Sequence, residues 1–172
     1  MEEKTQAQKI LDAAYNCISS KGYANVSLRE IADEAGVVLS QLNYYFGNKE
    51  GLFAEVIKIM INKYMKEIVK ALRKGESAKE KLLSIINFFR EMLKNNPELF
   101  RMLYDLTGLS IWSTSFNDLL KELFNGISEL IEENILSKTT LNGSLKGYSS
   151  KSIARMILGA MFGTAIPDSI GT

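Results

Sequence analysis

The chain has 172 residues, 46% of them apolar and 24% charged, with a formal net charge of +1, no histidine and one cysteine, Cys17. That length can bury a sizeable core, but imidazole metal sites, Ser-His-Asp triads and histidine general bases are excluded. A single cysteine also excludes an internal disulfide and a thiolate metal cage, so no metal or other cofactor is expected.

Apolar residues recur at helical spacing almost throughout. The only two prolines are Pro97 and Pro167, and the chain reads as all-α. The charged start, Met1 to Lys9, lacks the apolar run of a signal peptide. The most apolar stretch, residues 153–166, contains Arg155 and is too short for the roughly 20 residues that cross a bilayer. With its lone cysteine, the chain is expected in a reducing cytoplasm, with no membrane partner.

The first predicted helix places Ile10, Leu11, Ala14 and Ile18 on one face. Thr5 and Gln8 form its capping box and Lys21-Gly22 its stop. Ser27 and Glu30 form a second capping box, opening a short helix that turns Ile31, Ala32 and Ala35 inward and ends at Gly36. A third helix runs from about Val38 to Phe46. Asn48 then caps a long fourth helix with an apolar stripe from Leu52 to Leu72, ended by Gly75. Ser77 and Glu80 open a fifth, with Leu82, Ile85, Ile86, Phe89, Met92 and Leu93 inward. Asn96-Pro97-Glu98 starts a sixth, and Ser115 with Asp118 a seventh. A Ser/Thr/Gly/Asn-rich loop over 137–150 precedes an eighth helix, from Ser150 to about Thr164.

Helices two and three, joined by Ala35-Gly36-Val37, form a helix-turn-helix candidate. With Leu42 and Phe46 inward, the third helix presents Ser40, Gln41, Asn43, Tyr44 and Tyr45 outward. Ser, Gln and Asn can read base edges, and tyrosine hydroxyls can bond phosphates. Lys49, in the first turn of the fourth helix, adds a cation where backbone N–H groups already favour phosphate. Residues 1–50 nevertheless carry five basic against seven acidic side chains. Neutral donors and helix N-termini must therefore carry much of any DNA affinity, and its salt dependence should be shallow.

The run Gly22-Tyr23, Ser27-Leu28-Arg29-Glu30-Ile31-Ala32, Ala35-Gly36-Val37, Leu42, Tyr44-Tyr45-Phe46 and Lys49-Glu50-Gly51-Leu52 resembles the DNA-binding region of TetR-family transcriptional repressors. The resemblance covers roughly residues 8 to 55. It implies a helix-turn-helix domain over 1–48 and a helical effector-binding and dimerisation domain over 49–172, eight or nine helices in all. It further implies DNA contacts from Ser27, Arg29, Leu39, Ser40, Gln41, Asn43, Tyr44, Tyr45 and Lys49. Arg29 could instead pair with Asp33, Ser27 could serve only as a cap, and Lys49 could be a solvated surface cation. Val38, Ser40 and Asn43 depart from the family pattern, so operator sequences do not transfer from relatives.

The resemblance implies that a small-molecule effector releases a homodimer from a palindromic operator. Candidate linings for the effector are Met60, Tyr64, Phe88, Phe89, Met92, Phe100, Tyr104, Trp112 and Phe116, residues that equally suit a core. Trp112 and Tyr104 stand out because a buried N–H or O–H needs a partner, and Asp105 is the nearest acid. Leu123, Ile127, Ala154, Gly159 and Gly163 are the expected dimer contacts, Gly159 and Gly163 leaving a groove for a partner helix. The family usually has one more helix than this sequence supplies after Pro167. Two other classes stand beside this reading: a helical adaptor that offers Tyr44 and Tyr45 to a protein, and a carboxylate enzyme using Glu91 or Asp105. No spacing supports an enzyme.

Overall fold

The computed structural model of the chain describes residues 5–137 and 147–170, with side chains through residue 164. Residues 138–146 of the predicted loop lie outside the described residues. Among the described residues there are eight α-helices and no strand: α1 (Gln6–Lys21), α2 (Leu28–Ala35), α3 (Leu39–Phe46), α4 (Lys49–Leu72), α5 (Ala78–Asn95), α6 (Pro97–Leu109), α7 (Thr114–Ile131) and α8 (Ser150–Ile170). A short 3-10 turn, Tyr23–Asn25, joins α1 to α2, and five π-helical residues, Glu132–Leu136, extend α7.

Side-chain caps set the starts of most of these helices. The Gln8 and Thr5 pair closes a capping box at α1, the Glu30 and Ser27 pair does so at α2, and Glu80 with Ser77 at α5. At α5 the Glu80 carboxylate also accepts the Glu76 N–H at 2.8 Å, which adds to the Ser77 N–H in holding its pKa below the ordinary carboxylate value. Asn48 Oδ1 accepts the Gly51 N–H at 2.8 Å to start α4. At α7 the cap is Ser113, whose hydroxyl accepts the Phe116 N–H, two residues before the predicted Ser115. Ser113 is preferred because its backbone carbonyl already takes the Asn117 N–H at 3.0 Å. Helix α8 starts as predicted, with Ser149 capping it through the Ser152 N–H, but runs six residues beyond the expected end at Thr164.

The chain divides into two compact units. The first contains residues 1–60 and 101–119, so it is larger than the 1–48 segment read from sequence. In it α1 packs on α2 and α3, burying Ile10, Ala14 and Ile18 of α1 with Ile31 of α2 and Leu42 of α3. Its other buried residues include Phe53 and Phe116, whose rings meet edge to face at 5.5 Å. Residues 101–119 of this unit also bond to its N-terminal part, Asp105 to the Tyr23 N–H and Ser113 to Glu50.

The second unit contains residues 61–100 and 120–172. Its core joins Ile68 and Leu72 of α4 and Ile85 of α5 to Ile127 and Ile131 of α7, Ile135 and Leu136 of the π turn, and Ile153, Ala154 and Leu158 of α8. Helix α5 turns Ile85, Phe89 and Met92 inward as expected, but Ile86 lies exposed. Ala78, Leu82 and Phe88 of the same helix are partly buried against the core.

Candidate nucleic-acid interface

Helix α3 is anchored by one buried residue and exposes most of the rest. Leu42 is fully buried, whereas Ser40, Asn43, Tyr44 and Tyr45 are exposed, and Tyr44 is 85% accessible. A tyrosine this exposed gains little from the protein around it. Its ring meets that of Tyr45 edge to face at 5.5 Å. Helix α3 has no side-chain cap, since Val38 occupies the N-cap and has no oxygen to offer. Its first N–H groups therefore remain available to an anion.

Several expected contact residues are only partly free. Gln41 is half-buried, and its amide donates to Gln6 Oε1 of α1 at 3.3 Å. Leu39 is half-buried. Ser27 is exposed but serves as the cap of α2, accepting the Glu30 N–H at 3.2 Å. Arg29 is exposed, and no ion pair joins it to Asp33 among the described residues. The Lys49 ammonium is placed 4.4 Å from the centre of the Tyr23 ring. Burial there holds its pKa below the ordinary lysine value. Lys49 is therefore not the fully solvated cation that its surface position suggested. Lys21, in the last turn of α1, is paired with Glu30 at 3.1 Å. The Ser27 N–H, that ion pair and the Ser27 hydroxyl together lower the Glu30 carboxyl to about 2.

Sequence reading overlooked the importance of Tyr23, Glu50, Asp105 and Ser113. The Tyr23 N–H donates to Asp105 Oδ2 of α6 at 2.8 Å. Its ring lies 4.8 Å from that of Phe53 and 6.1 Å from that of Phe116. Burial, and then the nearby charge of Glu50, push its phenol above the usual value. The Ser113 hydroxyl donates to Glu50 Oε1 at 2.6 Å. Asp105, weighed from sequence as the acid nearest the candidate effector linings or as an enzyme carboxylate, beside a surface or capping role, accepts a backbone amide at the junction of α1 and α2. No sequence spacing signals that contact, because 82 residues separate its partners.

The candidate effector linings scatter. Trp112 is 88% exposed on the turn between α6 and α7, beside the exposed Ile111, so the premise of a buried indole is corrected. The Trp112 and Ser113 N–H groups donate to the Leu109 carbonyl, and the Ile111 and Trp112 side chains lie outside. Phe116 belongs to the first unit's aromatic core, and Met60 and Tyr104 also fall in that unit. Tyr64, Phe88, Phe89, Met92 and Phe100 fall in the second unit, where Phe89 and Phe100 pack edge to face at 5.6 Å. Of the expected dimer contacts, Ile127 and Ala154 are buried in the chain's own core and are corrected to that role. Leu123 packs against the same core, while Gly159 and Gly163 lie exposed on α8. A side chain added at either glycine would meet nothing within 4 Å.

Among the described residues no helix is long and apolar enough to cross a membrane, and no cluster of acidic residues and Cys17 is placed to hold a metal. Residues 10–56 match the family described as bacterial regulatory proteins, tetR family. Over 96 residues, 56% of this chain, the sequence is 31% identical to the HTH-type transcriptional regulator BetI of Agrobacterium fabrum. That match spans 47% of the relative, about half its length. Over 177 residues, 99% of this chain and 84% of the relative, it is 25% identical to the fatty acid metabolism regulator protein of Bacillus subtilis. The solved structure of the transcriptional regulator FadR from Bacillus subtilis, in complex with stearoyl-CoA, has a TM-score of 0.68 to this chain at 24% identity. It covers 93% of this chain and 85% of that one, so the two share a fold. Residues 10–56 thus match the tetR family of bacterial regulatory proteins in sequence, and the all-helical architecture of the chain is similar in three dimensions to that solved regulator.

Proposed function

We propose that the chain is a sequence-specific, DNA-binding transcriptional regulator of the cytoplasm, a homodimeric repressor released from a palindromic operator by a small molecule. The observation that carries this reading is the outward face of α3. Ser40, Asn43, Tyr44 and Tyr45 project from a short helix fixed by Leu42, with Arg29 exposed on the preceding helix. These groups suit base edges and phosphates, and Tyr44 is 85% exposed. In a homodimer two such helices would enter successive major grooves about 34–36 Å apart. Gly159 and Gly163 on α8, with Met156 61% exposed one turn earlier, offer a surface on which a second α8 could approach closely.

An acyl-CoA is the first effector class to test, because the relative matched over nearly the whole chain regulates fatty acid metabolism and a solved neighbour holds stearoyl-CoA. Effector binding would shift α4, whose first turn follows directly on α3, so that the two recognition helices no longer fit one DNA turn. A coupling of about 1–3 kcal/mol would lower DNA affinity about 5–150-fold. The test is duplex binding by the parent chain and by Tyr44→Ala and Lys49→Ala, with and without stearoyl-CoA. The expected result is weaker binding by both folded variants and release of the parent by the acyl-CoA. Unchanged DNA binding in both variants would refute the assignment of α3. Unchanged binding in the presence of stearoyl-CoA would refute the acyl-CoA alone.

A further inference from the structure

We infer that Asp105 is a positioning residue for DNA binding: from α6 it holds the junction between α1 and α2, and through it the orientation of α3. The inference rests on the reading of α3 as the DNA-contacting helix and adds to it a part of the machinery that lies outside residues 10–56.

The junction needs an external partner because of how α1 ends. Gly22 stops the helix at φ 81 and ψ 154, a region open essentially to glycine. Its own N–H goes back to the Ile18 carbonyl at 2.8 Å. The next N–H, that of Tyr23, then has no carbonyl of α1 to reach. Asp105 Oδ2 accepts it at 2.8 Å in a part-buried setting and lies 3.5 Å from where a Gly22 side chain would begin. A carboxylate is the strong kind of acceptor for a backbone amide. Leaving this N–H without a partner would free the junction to turn.

The same stretch of chain holds the other end of the recognition unit. Ser113 donates to Glu50 in the first turn of α4, and Phe116 packs on Tyr23 and Phe53. Residues 105–116 thus grip the entry to α2 and the start of α4, the two elements that flank α3. Asp105 carries a negative charge within the unit assigned to bind a polyanion. Its charge opposes DNA, while its hydrogen bond favours the DNA-competent form. These two effects have opposite signs and can be separated.

The full chain is assayed against a duplex enriched from a random pool, at a temperature where circular dichroism shows each variant folded. Asp105→Asn keeps an acceptor and loses the charge, and is expected to bind at least as tightly as the parent. Asp105→Ala loses both, and is expected to bind about tenfold more weakly, the direction opposite to the charge effect. In Asp105→Ala the Tyr23 amide should exchange with solvent at least about tenfold faster, while the Gly22 amide, bonded to Ile18, should be unaffected. An Asp105→Ala variant that binds as tightly as Asp105→Asn, or that leaves Tyr23 exchange unchanged, overturns the inference. If Asp105→Ala does not fold, Asp105→Glu replaces it. Glu keeps the charge but moves the carboxylate by one methylene, and should bind more weakly than Asp105→Asn. Equal binding by these two overturns the inference. A parent chain that retains no duplex overturns the DNA-binding reading and this inference with it. A parent that binds, with its variants unaffected, overturns this inference alone.

Discussion

The two compact units differ in the kind of contact that brings distant parts of the chain together. In the unit of α1–α3, residues far apart in sequence meet through directional bonds as well as through the rings of Phe53 and Phe116: Asp105 to the Tyr23 amide, Ser113 to Glu50, and the Lys49 ammonium over the Tyr23 ring. In the unit of α5 and α8, they meet through a cluster of Ile, Leu and Ala side chains from Ile68 to Leu158. Apolar packing depends on volume and tolerates exchange of one aliphatic side chain for another of similar size. Directional bonds fix angles, and a helix that must match a groove of DNA needs its angle fixed.

The largest expected effect comes where the two kinds of contact meet, at Phe53. It is fully buried and touches both Tyr23 and Phe116, so Phe53→Ala should cost about 3–5 kcal/mol, read as a lower urea midpoint. In the aliphatic cluster, Ile131→Val should cost only about 0.5–1.5 kcal/mol and leave DNA affinity unchanged. If Ile131→Val weakened DNA binding as strongly as a change in α3, the contrast between the units would fail. Tyr44→Ala should weaken duplex binding by about 1–2 kcal/mol, a factor of roughly 5–30, without moving the melting temperature. A fall in melting temperature would show that Tyr44 supports the fold rather than a partner. Ser27→Ala should cost about 1 kcal/mol of stability by removing the cap of α2.

The smallest effect is a pH dependence of the α2 start. Glu30 is lowered from 4.5 to about 2 by the Ser27 N–H, Lys21 and the Ser27 hydroxyl. A depressed carboxyl stabilises the folded chain above its unfolded value. Its contribution is therefore full above about 4.5 and is lost as pH falls toward 2. Acid titration of Glu30→Gln should show a flatter stability curve over that window than the parent. Identical curves would remove Glu30 from the cap.

Much of this architecture was legible because helix starts are local. The capping boxes at Thr5, Ser27 and Ser77 and the Asn48 cap are written within four residues and were found where expected. The exposed face of α3 followed from the period of Leu42 and its neighbours. What was not legible is long-range. The Tyr23 to Asp105 bond has no spacing signal, so neither the reach of the first unit to residues 101–119 nor the role of Asp105 could be read. Trp112 was singled out because a buried indole N–H would need a partner, whereas the turn between α6 and α7 leaves it exposed. Ile127 and Ala154 were assigned to a partner because an apolar helix face does not say whether its own chain or another covers it.

The most direct test is selection from a random pool of duplex DNA by the folded full-length chain at two salt concentrations. The expected result is an enriched palindrome with half-sites about one helical turn apart, bound with a shallow salt dependence because few cations of the α1–α3 region are free. Lys21 is paired with Glu30, which leaves Arg29, Lys49 beside the Tyr23 ring and the neutral donors of α3 to meet the phosphates. No enrichment by protein shown to be folded and dimeric would contradict a sequence-specific DNA-binding role for α3.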